Sequence, residues 1–300
     1  MTMLSRHSNE ALLLLSLVLR PPLGLDLYMP VPDANPLTPT KIALGRKLFF
    51  DKRLSHDGTL ACASCHDPKR AFSDGRKVAR GINGAEGTRS TPAIINRGYG
   101  RTFFWDGRAT TLEQQVLEPI LNPKELGMNR EDVERRTGLK IGDVTAALAS
   151  YVRTIRSGDS RFDQYAAGHQ RALSDLERAG LALFRGKARC STCHAGPNFT
   201  DENFHNTGVA WRDGTLTDHG AGEGKFKVPT LREVARTAPY MHDGSLTTLD
   251  DVVDYYDSGG NMNPWLDEDL RPLRLTSEEK RALVAFLRSL SGTVREGKKI

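Results

Sequence analysis

The chain has 300 residues, 38% of them hydrophobic and 26% charged, a soluble globular balance with room for two ordinary domains. The formal charge is +5, but the basic residues are spread along the chain and not gathered in runs, which leaves a nucleic-acid role without support. Residues 1–20 come first in chain order and read as an export signal. Arg6 and His7 precede an apolar run over residues 11–19 that ends at Arg20, short of the ~20 residues a membrane span needs. No small-x-small pattern comes after it, so the cleavage point is not legible, and no other segment is a candidate span.

Most of the chain beyond residue 20 has helical character. Thr38-Pro39 opens a helix with proline at its first position, and the helix carries Gly45 and a Leu48-Phe49 anchor. The motif Cys62-Ala63-Ser64-Cys65-His66 comes next, then a glycine-rich connection over residues 74–87. A linker is expected near residues 157–172, dividing the chain into 21–160 and 161–300. Ser174-Asp175-Leu176-Glu177 opens a second helix as a capping box, with Gly180 and Leu183-Phe184 ahead of Cys190-Ser191-Thr192-Cys193-His194. Another glycine-rich connection covers residues 213–224. Leu249, Val252, Val253 and Tyr256 fall at helical spacing on one face, with Tyr255 turned roughly 100° away. Thr276-Ser277-Glu278-Glu279 opens a last helix whose apolar face is Ala282, Leu283, Phe286, Leu287 and Leu290, with Gly292 as its stop. Strand-like alternation is scarce. The expectation is an all-α fold of two tandem cytochrome c-like domains.

The four cysteines form two identical Cys-x-x-Cys-His patterns, with their histidines 128 residues apart. That pattern is the attachment signal for c-type haem. Two thiols one helical turn apart can both bond one porphyrin, and the next residue sets an imidazole beneath the iron. One shared zinc site, two redox dithiols or simple disulfides are the competing readings. None of them explains a histidine after the second cysteine both times. Two covalent haems are therefore expected, one on Cys62, Cys65 and His66, the other on Cys190, Cys193 and His194. Such haems are attached outside the bacterial cytoplasm, so the processed chain is expected in the periplasm and not as an integral membrane protein.

Further motifs occur in order: residues 54–59 around His56-Asp57-Gly58, Thr91-Pro92, Phe104-Trp105-Asp106-Gly107-Arg108-Ala109, Asn122-Pro123-Lys124-Glu125, and residues 237–244 ending His242-Asp243-Gly244. Together they resemble the bacterial dihaem cytochrome c peroxidase and MauG family, over about residues 25–292. The resemblance implies a peroxide-binding haem on His66 and a six-coordinate, electron-storing haem on His194. It implies that Glu125 moves protons during peroxide cleavage, with Gln115 and Pro119 beside it in the pocket, and that Trp105 relays charge between the haems. In the peroxidases a methionine ligand stands fourteen residues after the histidine of His-Asp-Gly, whereas MauG and its close relatives have tyrosine. That position here is Tyr256, with Met262 as the alternative ligand. Many of the peroxidases have a blocking histidine sixteen residues after the first haem histidine. Here that position is Ile82, so an open first haem is implied.

A calcium ion is also implied, on the Thr237 and Pro239 carbonyls and an asparagine side chain that is Ser90 here, a neutral and weaker ligand. His242, His205 and Arg232 could contact propionates or fix loops, whereas His7, His169 and His219 carry no recognised pattern. The expected function is a MauG-like dihaem peroxidase that reduces hydrogen peroxide at the first haem and shares oxidising equivalents with the His194/Tyr256 haem. Its partners would be peroxide and an electron-donor protein or a protein substrate. An ordinary peroxidase fed by small electron carriers and a non-catalytic dihaem electron-transfer protein are the alternatives.

Overall fold

A computed structural model describes residues 21–297, so the expected export signal lies outside the described residues. Helix α1 spans Pro39–Phe49, with the Thr38 hydroxyl accepting from the Lys41 N–H and Arg46 and Lys47 in its last turn, where the helix dipole favours cations. Helix α2 is the single turn Cys62–Cys65. Helix α3 (Leu112–Leu121) is capped by Thr111, α4 (Arg130–Thr137) by Asn129, and α5 runs over Ile141–Arg153. Strand β1 (Arg156–Gly158) and helix α6 (Arg161–Ala166) lead into α7 (Asp175–Arg185), which has the expected Ser174/Glu177 capping box. Then come β2 (Phe204–His205), β3 (Trp211–Arg212), β4 (Thr215–Leu216) and β5 (Phe226–Lys227). Helix α8 (Leu249–Asp257) starts on a Thr248/Asp251 box, α9 (Ser277–Ser289) on a Thr276/Glu279 box, and β6 (Thr293–Arg295) comes last.

The helices build two hydrophobic clusters. One gathers residues between Leu48 and Ile155, the other residues between Leu173 and Leu290. Each is centred on a helix pair, α1 with α5 and α7 with α9. The pairs cross in the same way. A Cβ on Gly45 would collide with the Ala147 carbonyl and press on the Tyr151 Cβ; a Cβ on Gly180 would collide with the Ala282 carbonyl and press on the Phe286 Cβ. Glycine is required at both positions because one helix backbone lies directly on the other. The aromatic anchors are arranged alike, with Phe49 edge-on to Tyr151 at 5.1 Å and Phe184 against Phe286 at 5.0 Å.

The all-α expectation needs correction for the connections. Six short strands pair into three two-stranded antiparallel ribbons among the described residues. Pairings of two or three residues carry no alternation long enough to read from sequence. The segment expected to hold the linker carries regular structure. Ser157 is fully buried in β1, which pairs with β6, and α6 begins at Arg161. Gly292 is not the stop of α9, whose last turn ends at Ser289. It serves the ribbon instead: its N–H donates to Glu233 at 2.7 Å, and a Cβ there would strike the Gly158 carbonyl.

Bonds across the middle of the chain lock the halves together. Arg89 grips Asp218 at 2.7 and 2.8 Å while also holding Asp106 at 2.6 Å. Arg97 holds Glu202 in a bidentate pair. The Ser90 N–H donates to the His242 carbonyl at 2.7 Å.

Candidate functional site

Between the two clusters lies a continuous cavity of about 660 Å³, lined by Cys62, Cys65 and His66 and by Cys190, Cys193 and His194. The two motifs are presented by matching geometry. In α2 the Ser64 hydroxyl accepts from the Ala61 N–H, and the His66 N–H closes the turn on the Cys62 carbonyl. The turn Cys190–Thr192 comes after Arg189 in the left-handed region, and the His194 N–H closes on the Cys190 carbonyl. The imidazoles are also held alike. His66 Nδ1 donates to the Phe72 carbonyl at 3.1 Å and His194 Nδ1 to the Phe199 carbonyl at 2.9 Å. Both phenylalanines have positive φ, 59° and 52°, which turns their carbonyls toward the rings. A carbonyl can only accept, so each Nδ1 carries the proton and each Nε2 keeps its lone pair for a metal. Burial lowers both histidine pKa values, which favours that neutral form.

None of the four cysteines is disulfide-bonded in the structure, which counts against the disulfide reading. Among the described residues no group of three or more His, Cys, Asp or Glu side chains could hold a metal ion, so one shared zinc site fails too. Burial pushes the Cys62 and Cys190 thiols up to about 12. It pushes Cys65 up to about 11, with the charges of Asp74 and Glu125 adding to the shift.

Helix α3 faces the cavity with Leu112, Gln115, Val116 and Pro119, a stripe at i, i+3, i+4 and i+7. Pro119 lacks the N–H that would bond the Gln115 carbonyl, so the helix is weakened where it meets the cavity. Glu125 stands in the turn beyond. Its N–H donates to the Asn122 carbonyl at 3.0 Å, and the Asn122 side-chain amide donates to its Oε1 at 2.7 Å. Burial raises the Glu125 pKa, and the Asn122 hydrogen bond and the Arg108 charge oppose the rise. Ile82 is 6% exposed and packs into the protein near Gly127, its N–H donating to the Glu125 carbonyl at 2.9 Å. Trp105 is pinned at two points: Nε1 donates to the Ser90 carbonyl at 2.8 Å, and its own carbonyl accepts from the Lys227 N–H at 2.8 Å.

In the second half, Tyr256 lines the cavity from α8 with Leu249 and Val252. Burial, Tyr255 and the nearby Cys190 and Cys193 raise its pKa, and the Thr207 side chain opposes them. Tyr255 turns away, its hydroxyl donating to the Thr207 carbonyl at 2.7 Å. The alternative ligand Met262 is 80% exposed and does not line the cavity. Arg232 is a loop fastener, 1% exposed, bonded to Asp163, Gly24 and Pro197. His205 is clamped by Asp267 at 2.5 Å and Asp201 at 3.0 Å. His242 stacks on Phe226 at 3.6 Å, and burial holds it down at about 4. Ser90, Thr237 and Pro239 all line the cavity as well.

Two participants escape a reading of the sequence. Asn122 lies inside a motif that assigns it no role. Lys227 has only its place between apolar Phe226 and Val228 to mark it. Both matter to whether a haem fits here. The cavity offers two thiol pairs, two imidazole lone pairs and the amino group of Lys227, whose side chain is 9% exposed and whose pKa burial lowers to about 7. This donor set matches an apolar macrocycle with anionic arms.

Comparison with known proteins points the same way. A sequence model of the di-haem cytochrome c peroxidase family matches residues 39–141. The methylamine utilization protein MauG of Methylorubrum extorquens is 39% identical over 292 residues, covering 87% of this chain and 81% of that protein. A cytochrome-c peroxidase of Denitromonas iodatirespirans is 36% identical, covering 91% and 87%. A crystal structure of a MauG-like protein associated with microbial copper homeostasis superposes with a TM-score of 0.83 at 36% identity, covering 90% of this chain and 94% of that one.

Proposed function

Because the chain belongs to the di-haem cytochrome c peroxidase family, whose members are haem oxidoreductases, we propose that it is a MauG-like peroxidase carrying two covalent haems. Each hydrophobic cluster would form one haem unit, residues 21–160 and 161–300. Cys62, Cys65 and His66 would hold the first haem, the cysteines through thioethers and the histidine at its iron. Cys190, Cys193, His194 and Tyr256 would hold the second. The bound haems would supply an iron at which hydrogen peroxide is reduced and a second redox centre that stores an electron.

The chain's own residues do the remaining work. Two electrons and two protons convert one peroxide into two waters. Glu125 accepts the proton from one peroxide oxygen and returns it to the other, so a single carboxylate serves as base and then acid. Asn122 fixes the carboxylate's orientation. Gln115 and Pro119 shape the space around the peroxide, and Ile82 in the position of a blocking histidine leaves that space open. Trp105 would serve as the charge relay once the haems are bound. A calcium ion would draw on the Ser90 hydroxyl and the Thr237 and Pro239 carbonyls. Export through residues 1–20 suits covalent haem attachment and puts the protein in the periplasm. Among the described residues no helix is long and apolar enough to cross a membrane.

The observation that carries this reading is the Asn122–Glu125 pair on the same cavity as the first haem motif. The test mixes resting ferric protein with one equivalent of peroxide and tracks it by stopped-flow absorption and electron paramagnetic resonance. We expect one high-spin and one low-spin signal that vanish together. Glu125→Gln should slow the reaction by ~10²–10⁴-fold with both haems retained. A Glu125→Gln variant as fast as the parent removes Glu125 from the mechanism. Two low-spin haems that ignore peroxide favour an electron carrier or a peroxidase needing prior reduction.

A further inference from the structure

Lys227 takes no part in peroxide cleavage or in holding either haem motif. It lies in β5 with its side chain 9% exposed and lines the cavity. Its N–H bonds the Trp105 carbonyl, so it stands where the indole is anchored. Its carboxylate partner is Glu202 at 3.8 Å, beyond hydrogen-bond distance. That carboxylate is already committed. Arg97 grips it at 2.6 and 3.1 Å, and the Arg101 N–H donates to it at 3.2 Å. The neighbouring Asp201 is held by His205 at 3.0 Å. Two cations, the part-buried Arg97 and the buried Lys227, therefore share one carboxylate, and both line the cavity. A buried ammonium is stable when paired and hydrogen-bonded, and among the described residues no hydrogen bond completes this one, so burial lowers its pKa to about 7.

The surroundings also indicate which half of the cavity Lys227 serves. Strand β5 pairs with β2, and the next residue, Val228, donates to the Asn203 carbonyl and accepts from the Thr200 hydroxyl. These residues belong to the loop that leaves His194.

We propose that Lys227 is the anion anchor of the cavity, its ammonium pairing with a carboxylate arm of the group held on Cys190, Cys193 and His194. For a haem that arm is a propionate, and the inference rests on the reading of the chain as a dihaem protein. The pairing neutralises a negative charge beside the second haem and holds that charge balance next to Trp105.

The experiment compares holo parent, Lys227→Gln and Lys227→Arg. Haem is counted by pyridine haemochrome, and the midpoint potential of each haem is found by spectroelectrochemical titration. An unneutralised propionate favours the ferric state. Lys227→Gln should therefore lower the reduction equilibrium constant of the His194 haem by about tenfold or more, about 59 mV for a one-electron couple. The His66 haem should move far less, and Lys227→Arg should stay with the parent. Equal potentials in Lys227→Gln and parent overturn the assignment, as does an equal shift in the Gln and Arg variants, which would report packing. Should Lys227→Gln not accumulate, the resonance Raman propionate bending band decides. It should differ between parent and Lys227→Arg, because guanidinium and ammonium hydrogen-bond a carboxylate differently, and an identical band overturns the pairing. A parent lacking two haems sinks the haem reading along with this inference. A parent with two haems and an unmoved Lys227→Gln sinks this inference alone.

Discussion

On the proposed mechanism Glu125 transfers the proton, and opposing effects act on its carboxylate. Burial favours its neutral form, while the Asn122 amide favours the ionised one. As a base it must start ionised, so the peroxide reaction should quicken as pH rises through a pKa above the ordinary carboxylate range, then level off. In Asn122→Ala the opposing hydrogen bond is gone, the pKa rises further, and the rising limb should move to higher pH. A limb that stays in place would separate Asn122 from the proton transfer. The same shift acts on stability with a definite sign. A carboxyl whose folded pKa is raised stabilises the fold below its unfolded pKa, and that contribution is lost as pH rises through the folded value. Wherever the group is ionised in the fold, burial makes it cost stability, a compromise common at active sites.

The two helix pairs show how a short pattern can specify packing twice. Gly45 and Gly180 let α1 and α7 lie directly on α5 and α9, and in each pair an aromatic one turn beyond the contact completes the crossing. Gly180→Ala should cost about 1–3 kcal/mol through overpacking, read as a lower denaturation midpoint with both haems still attached. A midpoint equal to the parent's would mean that the crossing tolerates a methyl and that the glycine is not a packing requirement. The helices were legible because their signals are local. Ser174 with Glu177 and Thr276 with Glu279 are capping boxes four residues long, and the structure uses both. The ribbons were not legible, because β1 and β6 pair residues 156–158 with 293–295 and neither strand is long enough to alternate. Gly292 misled for the same reason: a glycine after a helix reads as a local stop, whereas its constraint comes from a distant strand. Lys227 was missed because a lone lysine carries no pattern, and its burial results from the β2–β5 ribbon and the Trp105 carbonyl.

At the scale of the whole chain, the halves are bound where they meet. The buried Asp163–Arg232 pair, 2.6 Å apart, ties α6 to the loops around Gly24 and Pro197. Ribbon β1–β6 brings the last described strand back to the first half, where Glu296 meets the Tyr151 hydroxyl. The sequence motifs named the chemistry in each half. They did not reveal that Trp105 and Lys227 are joined through the backbone across the middle. The shared cavity has a consequence for biogenesis. A hollow of about 660 Å³ with walls from both clusters is not filled by either half alone, so a chain that has received one prosthetic group still has an unfinished interior. On the dihaem reading, such a half-loaded chain should open readily and fall to proteolysis, while the fully loaded form survives. Loading then behaves as a quality check on the whole chain. Native mass spectrometry of protein made under haem limitation should find surviving molecules with two haem masses and almost none with one. An abundant, protease-resistant one-haem form would show instead that each half matures independently.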